Sequence, residues 1–276
     1  MKKLLLLLMC TVFGTTILTA CVNAKQESNV VDYENSDEIV VSTSVALTEI
    51  LDALGLQVAG VPTSSYELPE STKDAVKVGN PMSPDLEIIK SLRPTCVVAV
   101  DTLGSDYMAL FEQNNIPSEF VSLESLEGLK ESIYTLGERF NVAEKATELV
   151  AQINVKEDGI RSEVEGLSSP EILILFAAPG STMIATAHSY IGNLVEIVGG
   201  HNIIEETASS FVTLNKEYIA MLNPNQILVM THALPEETKA ALEKEMASDA
   251  SWQNIEAVRE RRVVYLDSHY FGMSAN

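Results

Sequence analysis

Downstream of residue 37 the chain alternates between two hydrophobic rhythms. Residues 38–42 (EIVVS) form a short apolar run that reads as a buried strand. Residues 45–54 repeat apolar positions at helical spacing and stop at Gly55. Residues 56–61 read as a further strand, 86–92 as a short helix closed by Arg93-Pro94, and 96–100 as a strand. Such alternation predicts parallel sheets covered by helices. From 141 to 167, Val142, Ala146, Leu149, Val150, Ile153, Ile160 and Val164 keep helical spacing. Asn141 and Glu144 have the spacing of a capping box, and Ser168-Ser169-Pro170 ends the run. At ~1.5 Å per residue this helix would be about 40 Å long, enough to bridge two lobes stiffly.

An internal repeat says what the lobes are. The sixteen-residue segment DLEIIKSLRPTCVVAV from Asp85 aligns with NKEYIAMLNPNQILVM from Asn215. Glu87/Glu217, Ile89/Ile219, Leu92/Leu222 and Pro94/Pro224 coincide, and each copy runs from a helix through a proline into a strand. The spacing is far too long for a solenoid and fits two similar α/β lobes in tandem. Residues 38–140 are expected to form the first lobe, 141–167 the linking helix and 168–276 the second lobe.

The start of the chain predicts export. Lys2 and Lys3 precede the apolar run 4–10, which is too short for a bilayer span and fits a signal peptide over residues 1–20. Its end, Leu18-Thr19-Ala20-Cys21, resembles the bacterial lipobox, so Cys21 is the expected lipidation site and first mature residue. Residues 21–37 are polar without periodicity, as a tether at the outer face of the membrane would be.

Composition narrows the partners. With 39 acidic against 18 basic residues the net charge is −21, which excludes the basic surface that nucleic acid requires. Three cysteines in 276 residues are too few for a disulfide framework. The chain has no GxSxG, Walker loop, HExxH or GxGxxG, so it is not expected to be an enzyme.

Two residues stand out by position. Met82 lies in Gly79-Asn80-Pro81-Met82-Ser83-Pro84, where two prolines keep it out of any periodic apolar face. His232 follows the apolar run 226–231 at its carboxyl end, where open α/β sheets bind ligands. A thioether from one lobe and an imidazole from the other suit haem iron and suit a hard cation poorly. His269, after the run 262–266, is the rival histidine.

Lipobox, twin lobes and rigid linking helix resemble the substrate-binding lipoproteins of iron, siderophore, haem and cobalamin importers. Within them the chain is similar to the IsdE-type haem-binding lipoproteins of Gram-positive bacteria. Carrying segments are Val45-Ala-Leu-Thr48, Pro62-Thr-Ser64, Gly79-Asn-Pro-Met82, Pro179-Gly180, Ser189-Tyr-Ile-Gly192, His232 with Leu234-Pro-Glu-Glu237, and Phe271-Gly272. The resemblance implies an α/β fold of the class III periplasmic-binding-protein type, with two parallel-sheet lobes on one long helix. It implies a monomer that takes haem, as iron protoporphyrin IX, from cell-wall donor proteins and passes it to an ABC permease and its ATPase. A ferric siderophore is the alternative cargo. Met82 and His232 fall on the family's axial ligands, and Val45, Ala46, Ser64 and Ser65 on its contacts to the haem propionates. Glu87 and Glu217 fall on the glutamates that dock the permease. The chain departs from its relatives in having no Lys or Arg between Thr43 and Glu70, and in stopping at Asn276 where relatives continue into a terminal helix. A truncated second lobe is therefore expected.

Overall fold

A computed structural model of the chain describes residues 38–204, 209–232, 234–268 and 270–271. The signal, lipobox and tether, including Cys21, lie outside the described residues, as does His269. The first half contains β1 (Val40–Ser42), α1 (Val45–Ala53), β2 (Val58–Val61), β3 (Val76–Lys77), β4 (Gly79–Asn80), β5 (Ser83–Pro84), α2 (Leu86–Leu92), β6 (Cys96–Val100), α3 (Ser105–Gln113), β7 (Ser118–Val121) and α4 (Leu126–Arg139). The long helix α5 (Ala143–Val164) follows. The second half contains β8 (Glu171–Ala178), β9 (Ser181–Ala185), α6 (Tyr190–Ile197), β10 (His201–Asn202), β11 (Phe211–Thr213), α7 (Lys216–Leu222), β12 (Gln226–Thr231), α8 (Pro235–Ser248), α9 (Ala250–Gln253), α10 (Glu256–Arg259) and β13 (Val263–Tyr265).

The first sheet is parallel, in the order β3-β2-β1-β6-β7. Successive side chains of a strand point to opposite faces, so one strand feeds two cores. Val98 and Val100 pack with Leu47 and Leu51 of α1, while Val97 and Ala99 pack with Ile89 of α2 and Phe111 of α3. The second sheet runs β11-β9-β8-β12-β13 with β10 beside β8, and it is mixed. This corrects the expectation of two parallel sheets: β9 returns antiparallel along β8, and β11 is antiparallel to β9. Pro179-Gly180 makes the turn, with Gly180 at φ 74°, a conformation that glycine adopts without a Cβ penalty.

The two repeat units fold alike. Asp85 caps α2 by accepting the amides of Glu87 and Ile88, and Asn215 caps α7 by accepting that of Tyr218. Each seven-residue helix ends in a left-handed residue, Arg93 at φ 52° and Asn223 at φ 48°, ahead of the proline.

The linking helix is shorter than its pattern suggested, at about 33 Å, and Asn141 does not cap it. Asn141 sits at φ 57° and closes α4 instead, its amide donating to Glu138 O and that of Val142 to Gly137 O. This is a Schellman closure, so Val142 begins α5 without a side-chain cap. Helices α4 and α5 pack so closely that a Cβ on Gly137 would lie 2.4 Å from Ala146 Cβ.

Helix α6 ties the second sheet to the first core. Tyr190 is buried among α1, α4 and α5 residues, Leu194 packs against cores of both sheets, and Asn193 Oδ1 accepts the amide of Leu126 at 2.9 Å. A Cβ on Gly192 would meet Thr186 O at 2.0 Å, so this turn of α6 requires glycine. Gly192→Ala should destabilise the protein by roughly 1–3 kcal/mol, as overpacking does, measured by denaturant unfolding. The α5 bridge and the packed α6 joint resist a large rotation of one sheet against the other. Small-angle scattering with and without ligand should therefore give nearly the same radius of gyration, and a contraction of several ångströms would count against this joint.

Candidate functional site

Parallel strands deliver their following loops to one edge of a sheet, in the order of the strands. Along the first sheet that edge carries, from β3 to β7, the Met82 hairpin, Ser64 and Ser65, the start of α1, Asp101 with Thr102, and Glu124. Neighbouring strands lie about 4.8 Å apart, so five strands spread these groups over roughly 19 Å.

Met82 is at the tip of the β4–β5 hairpin and 62% exposed, the Asn80 side chain accepting its amide at 2.8 Å. Gly79, at φ 101°, starts the hairpin, and its carbonyl accepts the amide of Thr63 from the loop after β2. Hairpin and serine loop are thus tied together. Ser64 Oγ accepts the amide of Tyr66, and Ser65 is exposed. Ser44 caps α1 by accepting the amide of Leu47 at 3.2 Å. The amides of Val45 and Ala46 make no hydrogen bond among the described residues, and no acidic residue lies in that first turn. Such a helix start favours an anion through its free N–H groups and dipole.

On the second sheet, His232 follows β12 and is exposed, its amide donating to Ala177 O at 2.8 Å. Its ring lies 5.6 Å from that of Phe176, which lies 5.2 Å from Phe211. An imidazole and two phenyl rings therefore form one row, a wall suited to the face of a flat aromatic ligand. Leu234, at φ 45°, turns the chain from His232 into α8, with Pro235 in the first helical turn.

The two edges meet at two places. Tyr66 Oη donates to Ser268 O at 3.0 Å, joining the loop after β2 to the one after β13. At the β7 end, a cavity of about 350 Å³ is lined by Thr102 and Glu124 of the first lobe and by Met183, Tyr190 and Phe211 of the second. Partial desolvation and the neighbouring Asp101 charge raise the Glu124 carboxyl above its usual range. Burial raises the Tyr190 phenol. Asp101 Oδ1 is buried without a hydrogen-bond partner.

Met82 and His232 thus follow carboxyl-terminal strand ends of the two different sheets. Val45, Ala46 and Ser64 lie between the Met82 hairpin and Asp101 on the same edge. Glu87 and Glu217 are exposed in the first turns of α2 and α7. Reading the sequence missed Phe176, Phe211, Tyr66, Asp101 and Glu124. The aromatic pair had a signal, since each phenylalanine falls in an apolar run, but pairing β8 with β9 and β9 with β11 is what brings them together.

Comparison with known proteins gives a consistent picture. The chain is 36% identical over 266 residues to the high-affinity heme uptake system protein IsdE of Staphylococcus aureus (strain bovine RF122 / ET3-1), covering 96% of this chain and 90% of that one. Its fold matches the crystal structure of S. aureus IsdE complexed with heme at a TM-score of 0.83 and 37% identity, over 87% of this chain and 94% of that chain. An ABC transporter substrate-binding protein from Listeria monocytogenes EGD-e matches at 0.83 and 36%, over 87% and 93%. The periplasmic binding protein family model spans residues 40–270. By that span, and by two α/β lobes facing each other across their strand ends, the chain belongs to the periplasmic binding protein family.

Proposed function

We propose that the protein binds haem in the cleft between its lobes and delivers it to an ABC permease. The observation that carries this reading is the likeness to haem-loaded IsdE, at a TM-score of 0.83 and 37% identity. The cleft is compatible in its chemistry. Exposed Met82 and His232 supply a thioether and an imidazole, and Phe176 and Phe211 supply a wall for the porphyrin face. The propionates bind at the free amides of Val45 and Ala46 with the hydroxyls of Ser64 and Ser65, and no nearby Lys or Arg is needed. Titration of purified protein with haem tests the proposal. A sharp Soret band saturating at one haem per chain is expected. No such band, with ferric siderophores quenching the fluorescence of the single tryptophan, Trp252, would select the siderophore cargo instead.

The protein works as a lipid-anchored monomer at the outer face of the cell membrane, held by Cys21, and receives haem from cell-wall donor proteins. The lipobox ending on Cys21 and the polar stretch behind it support this. Cys21→Ala should leave the protein unanchored, measured by membrane fractionation, and unchanged processing and anchoring would contradict the assignment. Glu87 and Glu217 dock the permease, one from each lobe.

A further inference from the structure

The cleft is chemically lopsided along its length, and that lopsidedness suggests a selectivity. Near the middle of the first sheet's edge are the free amides of α1, with Ser64 on the side towards β3. One and two strands the other way are Asp101 and Glu124, which follow β6 and β7. At about 4.8 Å per strand the strand ends that lead to them stand roughly 5 and 10 Å from the one that leads into α1, within the span of one porphyrin ring. The 350 Å³ chamber that Glu124 lines is walled by Met183, Phe211 and Tyr190, and no Lys or Arg borders it.

We infer that Asp101 and Glu124 make the inner end of the cleft selective for the uncharged edge of a tetrapyrrole, so that the protein accepts iron porphyrins with propionates on one edge and discriminates against those carrying propionates on opposite edges. The inference rests on the haem reading above and adds a selectivity to it. A vinyl-bearing edge buries its apolar groups against Met183 and Phe211. A carboxylate placed there meets Glu124, with the Asp101 charge close behind it, in a partly desolvated chamber, where like charges repel more strongly than in water.

One feature acts the other way. Ser189 and Tyr190, which begin α6, also line the chamber, and that helix start attracts anions. A helix dipole supplies about half a positive charge against the Glu124 carboxylate that lines the chamber and the Asp101 charge behind it, so the balance is negative. The raised Glu124 carboxyl agrees: this end of the cleft already disfavours the negative charge it holds. Asp101 Oδ1 is buried without a hydrogen-bond partner.

Iron coproporphyrin is the probe, because it has the haem ring and iron but carries propionates where haem has vinyls. Dissociation constants for haem and iron coproporphyrin would be measured spectroscopically on the wild type, Glu124→Gln, and the Asp101→Asn/Glu124→Gln pair. The wild type should prefer haem by about tenfold or more, a typical effect of an unpaired like charge on specificity. The preference should shrink in Glu124→Gln and further in the double variant. Using the ratio cancels any loss common to both porphyrins, including a general loosening of the cleft. A wild type that binds both equally, or a preference unmoved by the substitutions, would overturn the inference while leaving haem binding intact. A wild type that binds neither porphyrin would overturn the haem reading and this inference with it.

Discussion

His232→Ala should weaken ferric haem binding by roughly a hundredfold, on the order of 2.7 kcal/mol, while Met82→Ala should cost distinctly less. Imidazole nitrogen is a good ligand to both ferric and ferrous iron, whereas a thioether favours the softer ferrous state. The surroundings add to the difference. His232 is placed by its backbone bond to Ala177 and by the ring of Phe176, so little ordering remains when it takes up iron. Met82 rises from a hairpin tip and is largely solvated, and it loses side-chain freedom on ligation. Met82→Ala should keep a Soret band but lose low-spin character, and its reduction potential should fall because the preference for ferrous iron is gone. His269→Ala measured beside them identifies the histidine: if that variant alone loses the low-spin spectrum, His232 is not the ligand.

Charge reversal at both proposed docking positions, Glu87→Lys with Glu217→Lys, should abolish haem-dependent growth and leave the Soret spectrum unchanged. Both glutamates stand in the first turn of equivalent helices, with their side chains in solvent. Among the described residues Glu87 pairs with Lys90 alone, at 3.2 Å, and a solvated pair of this kind contributes little to stability. Neither residue thus holds the fold together. Two such exposed charges on a protein of net charge −21 can steer and orient a basic permease surface, which makes the defect sensitive to both signs being wrong at once. Normal growth of the double variant would remove the docking assignment.

What could be read from the sequence follows from which interactions are local. Helices α2 and α7 were legible because Asp85 and Asn215 cap them and a proline follows each end. Strands β6 and β12 were legible as unbroken apolar runs buried on both faces. Asn141 misled because a left-handed asparagine that closes one helix and an N-cap that opens the next look alike in sequence; the contact of Gly137 with Ala146 and the tight turn decide between them. The antiparallel β9 was missed although Pro179-Gly180 is a turn signal, since the alternation of strands and helices argued for parallel sheets. At the site, Met82 and His232 could be singled out by loop position. Asp101 and Glu124 could not, because isolated acidic residues are common in so acidic a chain and their meaning comes from the sheet edge they share.

The most direct test of the account is iron K-edge X-ray absorption on the reduced, haem-loaded protein, read together with Met82→Ala and His232→Ala. One sulfur and one additional imidazole nitrogen in the first shell, with the sulfur lost in Met82→Ala and the imidazole lost in His232→Ala, is the predicted result. An iron shell without sulfur in the wild type, or one that neither substitution alters, would contradict it.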